Sequence, residues 1–310
     1  SENLSASVGA ISYQTISEGG EVEHSVYYNE GAENIVKQYF QKFRVRRILG
    51  MLLVCLVAVM FYCLMDIVNF FLLGVLVTPL YLLSLFFIWK GISFFNIKSF
   101  TGLSTILYYD CDPVKYQEVL SRLLVLDKRR KARAAISLEL ATAVLAQGKA
   151  EEGARYLEQA TFKTFTLDRE LKKLGCYADY RDLHDDFIGL HQIEEKLYEW
   201  KANVKEEDYF DKEIEHQISL VQAMASREHE SINSQRERWV MLYSTADNPL
   251  QENLYLMRLA RLELAQGKRE ISMRHMGFVV AEGNALPCVN EAKQILSTYE
   301  TANSKYILDN

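Results

Sequence analysis

The chain contains an almost uninterrupted apolar run from Ile48 to Trp89, and this run limits what the protein can fold into. One helix needs about 20 apolar residues to cross the hydrocarbon core of a bilayer, so the run is too long for one span and long enough for two short ones. Asp66 and Asn69 are the strongly polar residues near its middle, where a turn at the membrane surface would spare them the cost of burial in hydrocarbon. We therefore predict a helical hairpin, with spans over 48–64 and 70–89.

Three other structures are compatible with such a run. It could form a buried helix pair of a soluble protein, although about 40 residues with almost no charge are many for such a pair. A cleaved signal peptide fits less well, because the run begins far from the first residue and lacks a small-residue cleavage site. A re-entrant loop that does not cross the bilayer is the third, and Pro79 in the second half is compatible with it.

The charges that flank the run predict its orientation. Lys42, Arg44, Arg46 and Arg47 precede it, Lys90 follows it, and the short turn carries no Lys or Arg. By the positive-inside rule, both ends of the chain are expected in the cytoplasm. A bacterial cell membrane and the endoplasmic reticulum both suit such a hairpin, and we expect the bacterial one because the tail carries no eukaryotic targeting signal that we recognise.

The composition argues against several functions. The formal net charge of −6 and the absence of a basic face make nucleic acid an unexpected partner. The five cysteines form no Cys-x-x-Cys pair, and a single Glu-x-x-His step, Glu213 to His216, is too little for a di-iron site. The nucleotide-binding and hydrolase motifs are missing from the sequence. We expect no enzyme activity, no cofactor and no metal.

Five segments follow along the chain: a disordered cytoplasmic tail over 1–31, an amphipathic juxtamembrane helix over 32–47 that could instead extend the first span, the transmembrane hairpin over 48–89, a juxtamembrane linker over 90–112 and a helical domain over 113–310. In the last segment, prolines stand where helices should begin and no alternating apolar run predicts a strand. Helices are predicted over 113–126, 130–147, 150–163, 168–202 with at least one break near Gly175, 206–226, 228–245, 249–266, 269–282 and 287–302. The predicted fold is all-α.

One pentapeptide, Leu-Ala-Gln-Gly-Lys, occurs at 145–149 and again at 264–268, each time at the end of a predicted helix. Its Gly is a natural left-handed stop before the next helix. The neighbouring positions also correspond: Leu140, Ala141, Gly148, Gly153, Leu157 and Ala160 align with Leu259, Ala260, Gly267, Ser272, Met276 and Val279. This pattern resembles the tetratricopeptide repeat, in which small residues let two antiparallel helices approach closely.

The chain departs from that family in three ways. The separation of the two copies is not a multiple of the family's period of about 34 residues. Val144 and Glu263 stand where the family has an aromatic residue, and the proline after the second helix is absent from both copies. An irregular bundle with two similar hairpins is therefore the alternative to a repeat array.

The resemblance implies a right-handed solenoid whose concave face, formed by the first helix of each pair, holds a peptide or a partner helix. The residues it points to are Ala135, Leu138, Thr142 and Leu145 in the first copy, and Leu254, Met257, Arg258 and Arg261 in the second. The two arginines could clamp a ligand carboxylate, or they could be solvated charges beside Glu252 or Glu263.

We expect a TPR-like scaffold or adaptor that is anchored in a membrane and binds protein or peptide partners at its cytoplasmic face, with 48–89 in contact with the lipid bilayer. An accessory subunit of a membrane transport or secretion complex, and a peptide-responsive membrane regulator, are the alternatives.

Overall fold

The computed structural model describes residues 24–67, 70–204 and 209–308, and the regular structure within these ranges is entirely helical. Most of the predicted tail, up to position 23, lies outside the described residues, and so does position 69 of the predicted turn. The chain divides into two compact units, of which the first is Asn29–Thr105 and the second contains Ile106–Asn310 together with the residues up to Tyr28.

The first unit consists of two long helices, α1 over Ala32–Ile67 and α2 over Phe70–Thr101, followed by a 3-10 turn at Gly102–Ser104. Both helices are long and apolar enough to cross a membrane, and their apolar windows are almost wholly unburied. The segment 32–47 extends the first predicted span as one continuous helix. With 36 residues, α1 is about 54 Å long, which exceeds the about 30 Å of a bilayer's hydrocarbon core.

The two helices pack against each other in antiparallel register. The ring centroids of Phe61 and Tyr81 lie 4.8 Å apart. Further along, Gly50 faces Ile92 so closely that a Cβ atom added at Gly50 would lie 2.2 Å from the Ile92 Cδ1. Small residues let two helices approach closely, and Gly50 occupies such a close contact between α1 and α2.

The second unit is a succession of helices, with neighbours along the chain packed against each other. The helices are α3 Thr105–Tyr108, α4 Pro113–Leu126, α5 Arg130–Leu145, α6 Ala150–Gln159, α7 Leu167–Leu183, α8 Phe187–Lys201, α9 Tyr209–Ala225, α10 Ile232–Ser244, α11 Pro249–Ala265, α12 Arg269–Glu282 and α13 Pro287–Leu308.

The predicted helix starts at Pro113, Pro249 and Pro287 are confirmed. Proline suits the first helical position, since its missing N–H would have no partner there. In α4 and α11 the preceding side chain caps the helix: Asp112 and Asn248 each accept a hydrogen bond from the backbone N–H three residues on, at 2.9 and 3.1 Å.

The predicted break near Gly175 is wrong, because α7 runs through this residue. A Cβ atom at Gly175 would lie 3.2 Å from the Gln217 side chain of α9, so the glycine allows a close approach between two helices. The chain breaks instead between α7 and α8, where Asp185 adopts a left-handed φ of 52°. The Asp186 carboxylate then caps α8 by accepting from the Gly189 N–H at 2.9 Å.

The two pentapeptides end α5 and α11 in the same conformation. Gly148 and Gly267 have φ values of 74° and 75°, a region that suits glycine because it has no Cβ atom. In both copies the N–H of the residue after the glycine donates to the carbonyl five residues earlier, at 3.1 Å in the first and 2.9 Å in the second. This is the Schellman pattern of a helix end, and it turns the chain directly into the next helix.

The positions that align in sequence are also equivalent in packing. The aligned apolar residues are all buried: Leu140, Ala141, Leu157 and Ala160 in α5–α6, and Leu259, Ala260, Met276 and Val279 in α11–α12. The aligned position that carries a small residue in both copies, Gly153 in the first and Ser272 in the second, differs in chemistry. A Cβ atom at Gly153 would lie 2.6 Å from the Leu145 Cγ, whereas the buried hydroxyl of Ser272 donates to the Ala260 carbonyl at 2.7 Å. These helix pairs therefore form a structural repeat.

Residues near the end of the second unit contact residues near its beginning. Asn284 donates from its side chain to the Asp110 carbonyl at 2.7 Å, and the Ala285 N–H donates to the Cys111 carbonyl at 3.2 Å. The Asn253 side chain donates to the Cys111 thiol at 3.8 Å. The helical succession thus returns to the segment that precedes α4.

The same segment binds the residues before α1. The Asp110 carboxylate accepts from the Ser25 N–H at 2.7 Å and from the Ser25 hydroxyl. The Lys115 amine donates to the carbonyls of Tyr27 and Tyr28, at 2.7 and 2.8 Å. These contacts tie 24–28 to the start of α4.

Candidate partner-binding face

The residues predicted to line a groove lie in different environments. Leu138, Leu145 and Met257 are buried, with 4%, 4% and 2% of their surface exposed, and therefore belong to the core. Thr142 and Leu254 are partly exposed. The buried leucines support the first helix of the pair, so they act on this face through packing and not through direct contact with a ligand.

The two predicted arginines are engaged in ion pairs within the unit. Arg261 of α11 donates from Nε to Glu291 of α13 at 2.8 Å, and both side chains are about two-fifths exposed. Such an exposed pair contributes little to stability, about 0–1 kcal/mol. Arg258 pairs with the buried Asp182 of α7 and also lies over the Trp239 ring, 5.7 Å from its centroid.

Sequence reasoning missed a polar face on α7, formed by Lys172, Cys176 and Asp179. Steps of four and three residues place these side chains on one side of a helix. The spacing in the sequence indicates this face, but the three residues lie in the stretch that we predicted to break near Gly175. We call these three residues the α7 polar face.

At one end of this face, Lys172 pairs with Glu139 of α5. The Lys172 amine lies 2.5 Å from the Glu139 carboxylate, whose second oxygen accepts from the Tyr116 hydroxyl at 2.9 Å. Burial acts to lower the pKa of the Lys172 amine, but attraction to the Glu139 carboxylate outweighs it and raises the pKa. Lys172 therefore stays charged, and α4, α5 and α7 are joined by one polar network.

In the middle of the face, the Cys176 thiol lies 3.4 Å from the Thr142 hydroxyl, one of the predicted groove residues. Burial, with a further contribution from the charge of Asp179, raises the pKa of the Cys176 thiol to about 12. The protonated thiol is a poor nucleophile and a poor metal ligand.

At the other end, Asp179 lies next to a group of ion pairs around Asp182. One Asp182 oxygen accepts from Arg227 at 2.6 Å and the other from Arg258. Burial, followed by repulsion from Asp182, raises the pKa of the Asp179 carboxyl to about 7, although Arg258 acts to lower it. Asp179 therefore titrates near neutral pH at a position that is only partly exposed.

The residue that departs from the family pattern in the second copy, Glu263, is completely buried in α11. Its carboxylate contacts Arg236 of α10 at 3.3 Å and the His275 Nδ1 of α12 at 2.8 Å. The contact with His275 lacks the alignment of a hydrogen bond. Where the family has an aromatic residue, this repeat therefore has a buried polar contact between three helices.

The histidines nearest to a metal-ligand spacing contact other groups. His184 lies 3.1 Å from Glu151, and His191 lies 3.3 Å from Glu194. The His216 Nε2 lies 3.3 Å from the Tyr255 hydroxyl. Among the described residues, no three His, Cys, Asp or Glu side chains are arranged to hold a metal ion.

The predicted flanks of the membrane anchor lie at one end of the α1–α2 hairpin. Lys42, Arg44, Arg47 and Lys90 are exposed. Arg46 bridges the two helices, because its Nη1 donates to the Phe95 carbonyl and to the Ser99 hydroxyl, both at 2.7 Å. We call the five predicted flank residues, including Arg46, the basic end of the hairpin.

These features define the class of the protein. It is an all-α protein with repeated helix pairs and two helices that are long and apolar enough to span a membrane. Comparison with protein-family models, with curated proteins and with solved structures finds no match in any of the three.

Proposed function

We propose that the protein is a membrane-anchored adaptor. The α1–α2 hairpin holds the second unit, which we call the helical unit, at a membrane, and the helical unit binds protein or peptide partners. The observation that carries this proposal is the exposure of the hairpin's apolar side chains, for example 62% for Leu52 and Val59 and 63% for Phe87. Exposed apolar surface over such lengths is rare in soluble monomers and is expected where lipid covers it.

The proposed orientation places both ends of the chain in the cytoplasm, with a bacterial cell membrane as the proposed location. The exposed cations of the basic end support this orientation, since Lys and Arg are enriched in cytoplasmic flanks. The partners proposed are proteins or peptides and, through the hairpin, the lipid bilayer. We propose no enzymatic activity, no cofactor and no nucleic-acid partner.

We further propose that the helical unit is a tetratricopeptide-like solenoid. The matching helix ends at Gly148 and Gly267 and the matching buried positions support it. The helix pairs that begin at Arg130, Leu167, Tyr209 and Pro249 are spaced more widely than the family's period of about 34 residues. The longer spacing accounts for two copies that do not lie at a multiple of that period.

In this solenoid, the α7 polar face extends the predicted partner-binding groove. Lys172, which is paired with Glu139, and Asp179 are partly exposed there, and the Thr142 hydroxyl lies 3.4 Å from the Cys176 thiol between them. A partner with complementary charges would be recognised by these groups, while the buried leucines hold α5 in place.

Topology is tested by labelling single cysteines in intact cells with a membrane-impermeant thiol reagent, after the native cysteines have been replaced. The proposal expects labelling of Asn69→Cys, between the two helices, and no labelling of the exposed Glu237→Cys in α10. The reverse pattern would put the helical unit outside the cytoplasm, and protection of both positions would indicate a hairpin that does not cross.

The alternatives are an accessory subunit of a membrane transport or secretion complex and a peptide-responsive regulator. Replacing 48–89 by an unrelated two-span hairpin distinguishes the accessory subunit of a membrane complex from the adaptor. Partners that are still captured after the replacement support the adaptor, because the helical unit then holds them. Loss of every partner, with the helical unit still folded, supports the complex subunit.

A further inference from the structure

We propose that the basic end of the hairpin binds the phosphate headgroups of anionic lipids, an inference that rests on the proposed membrane anchor. Lys42 and Arg46 lie one turn apart on the same face of α1. Together with Gln38, Gln41 and Val45 they line a shallow depression on the surface of the first unit. The Lys42 ammonium, the Arg46 guanidinium and the Gln41 amide therefore meet in one place, which suits a phosphate group, while the Gln38 amide donates to Glu30.

Arg46 is held in position for such contacts. One of its terminal nitrogens donates to Phe95 and Ser99 of α2, and the guanidinium lies 5.8 Å from the Phe95 ring centroid. An arginine has five N–H donors, so donors remain on the other nitrogens. A guanidinium that is already fixed loses little side-chain entropy when it binds a phosphate.

The depth of these residues matches the headgroup layer. About 20 helical residues cover the about 30 Å of hydrocarbon, and the apolar part of α1 from Ile48 to Ile67 has this length. Lys42, Arg44 and Arg47 then lie within the first turns outside the hydrocarbon. Because α2 is antiparallel to α1, Lys90 lies at the same end.

The charge along most of the two helices is positive, and the acid beside the site is Glu30, which precedes α1 and accepts a hydrogen bond from the Gln38 side chain at 2.6 Å. The sequence contains no Asp or Glu from Asn34 to Met65 or anywhere in α2. Anionic lipids supply the missing negative charge, and each cation near an anionic surface strengthens binding by about fivefold.

The adjoining surface favours a lipid over an acidic protein as the occupant. Val45, Ile48 and Leu49, directly beside the cations, are 57%, 48% and 56% exposed. Exposed aromatic residues on α2, Phe94 and Phe95, lie at the same end, where aromatic side chains commonly meet headgroups. Cations next to an exposed apolar surface match a molecule that has a phosphate next to an acyl chain.

The test uses the full chain reconstituted into phosphatidylcholine bilayers that contain spin-labelled phosphatidylglycerol or, in parallel samples, spin-labelled phosphatidylcholine. Electron spin resonance gives the association of each labelled lipid with the protein. We expect the anionic lipid to associate several-fold more strongly, and we expect this preference to fall as salt is added. Equal association of the two lipids would overturn the inference.

The variant that tests the site removes three of the four exposed cations of the basic end, Lys42→Gln, Arg44→Gln and Arg47→Gln, and keeps Lys90 and the bridging Arg46. The preference should fall markedly in this variant, and the part that remains is due to Arg46 and Lys90. The matched control is Lys128→Gln with Lys131→Gln, two exposed charges of the helical unit, and it should keep the preference. A triple variant with an unchanged preference would overturn the assignment to the basic end.

A competition with inorganic phosphate distinguishes a lipid headgroup from a free phosphate ion. Phosphate, compared with chloride at equal ionic strength, should leave the preference intact if the site takes lipid headgroups. Loss of the preference would indicate a site for free phosphate and overturn the inference.

Extraction of the vesicles with alkaline carbonate tests the membrane anchor itself. A chain that stays in the bilayer but shows no lipid preference fails only the headgroup inference. A chain that is extracted fails the proposed function.

Discussion

The side-chain amide of Asn284 donates a 2.7 Å hydrogen bond to the backbone carbonyl of Asp110, which lies near the beginning of the helical unit. Asn284 has a left-handed φ of 45°, which asparagine tolerates better than most residues. This bond, with its neighbours at Cys111, joins the last helices of the unit to the segment before α4.

Asn284→Ala should lower the free energy of unfolding by roughly 1–3 kcal/mol, because it removes the hydrogen bond and places an alanine in a left-handed conformation that only a few residue types favour. Asn284→Gly removes the same bond but relaxes the backbone, so its loss should be smaller. Chemical denaturation of the full chain in detergent, followed by tryptophan fluorescence, measures both. Equal losses for the two variants would contradict the role of the backbone conformation.

The packing of the first repeat is tested at Gly153. Gly153→Ala should destabilise the protein by about 1–3 kcal/mol, because the new Cβ atom overlaps the Leu145 Cγ and the core there is closely packed. Leu145→Ala in the same chain makes room for this atom, so the double variant should cost less than the sum of the single ones. A double-mutant cycle from denaturation curves gives this coupling, and strict additivity would show that the two positions do not meet.

The pH dependence of stability is tested at Asp179. Its pKa is raised from 3.8 to about 7 in the folded protein, so the folded state binds more protons than the unfolded state between these values. The contribution of this group is fully present below about pH 4 and is lost as the pH rises through 7. Asp179→Asn should therefore raise the unfolding temperature at pH 8 and leave it nearly unchanged at pH 4.

The control for this prediction is Asp185→Asn, which removes the same charge from an exposed neighbour and suits the left-handed backbone there. It should change the pH profile much less. If the two variants have the same profile, the dependence does not arise from burial of Asp179.

The buried contact between Glu263 and His275 gives a fourth prediction. Glu263→Leu leaves the buried imidazole of His275 and the partly buried guanidinium of Arg236 without their shared partner, and removing one member of a buried ionic contact costs about 3–5 kcal/mol. Glu263→Leu combined with His275→Leu removes the unpartnered imidazole but leaves Arg236 without Glu263, so it should recover part of that loss. Thermal unfolding followed by circular dichroism compares the variants, and a double variant as unstable as the single one would contradict this account.

Local patterns predicted the elements of the fold well. The helix starts at Pro113, Pro249 and Pro287 and the two glycine stops depend on residues within a few positions of each other, so the sequence contains the information directly. The break placed near Gly175 failed, because a glycine that permits close packing of a second helix looks like a glycine that ends one.

The residues predicted to line a groove show the same difference between local features, which the sequence predicts, and packing, which it does not. The resemblance to the tetratricopeptide repeat pointed to residues of α5 and α11, and one of them, Thr142, contacts the α7 polar face. It could not show that Met257 is buried or that Arg258 pairs with Asp182, since these facts depend on helices that are far apart in sequence.

By itself, the sequence determined an all-α chain with a long apolar hairpin and a repeated helix pair, because helix propensity, capping and apolar spacing act over short distances along the chain. Only the tertiary structure decided which charges meet and which stay exposed. Asp182 and Arg258 are 76 residues apart, and Asp110 and Asn284 are 174 apart. Such contacts depend on how the helices pack, and that packing is a property of the whole unit rather than of any local pattern.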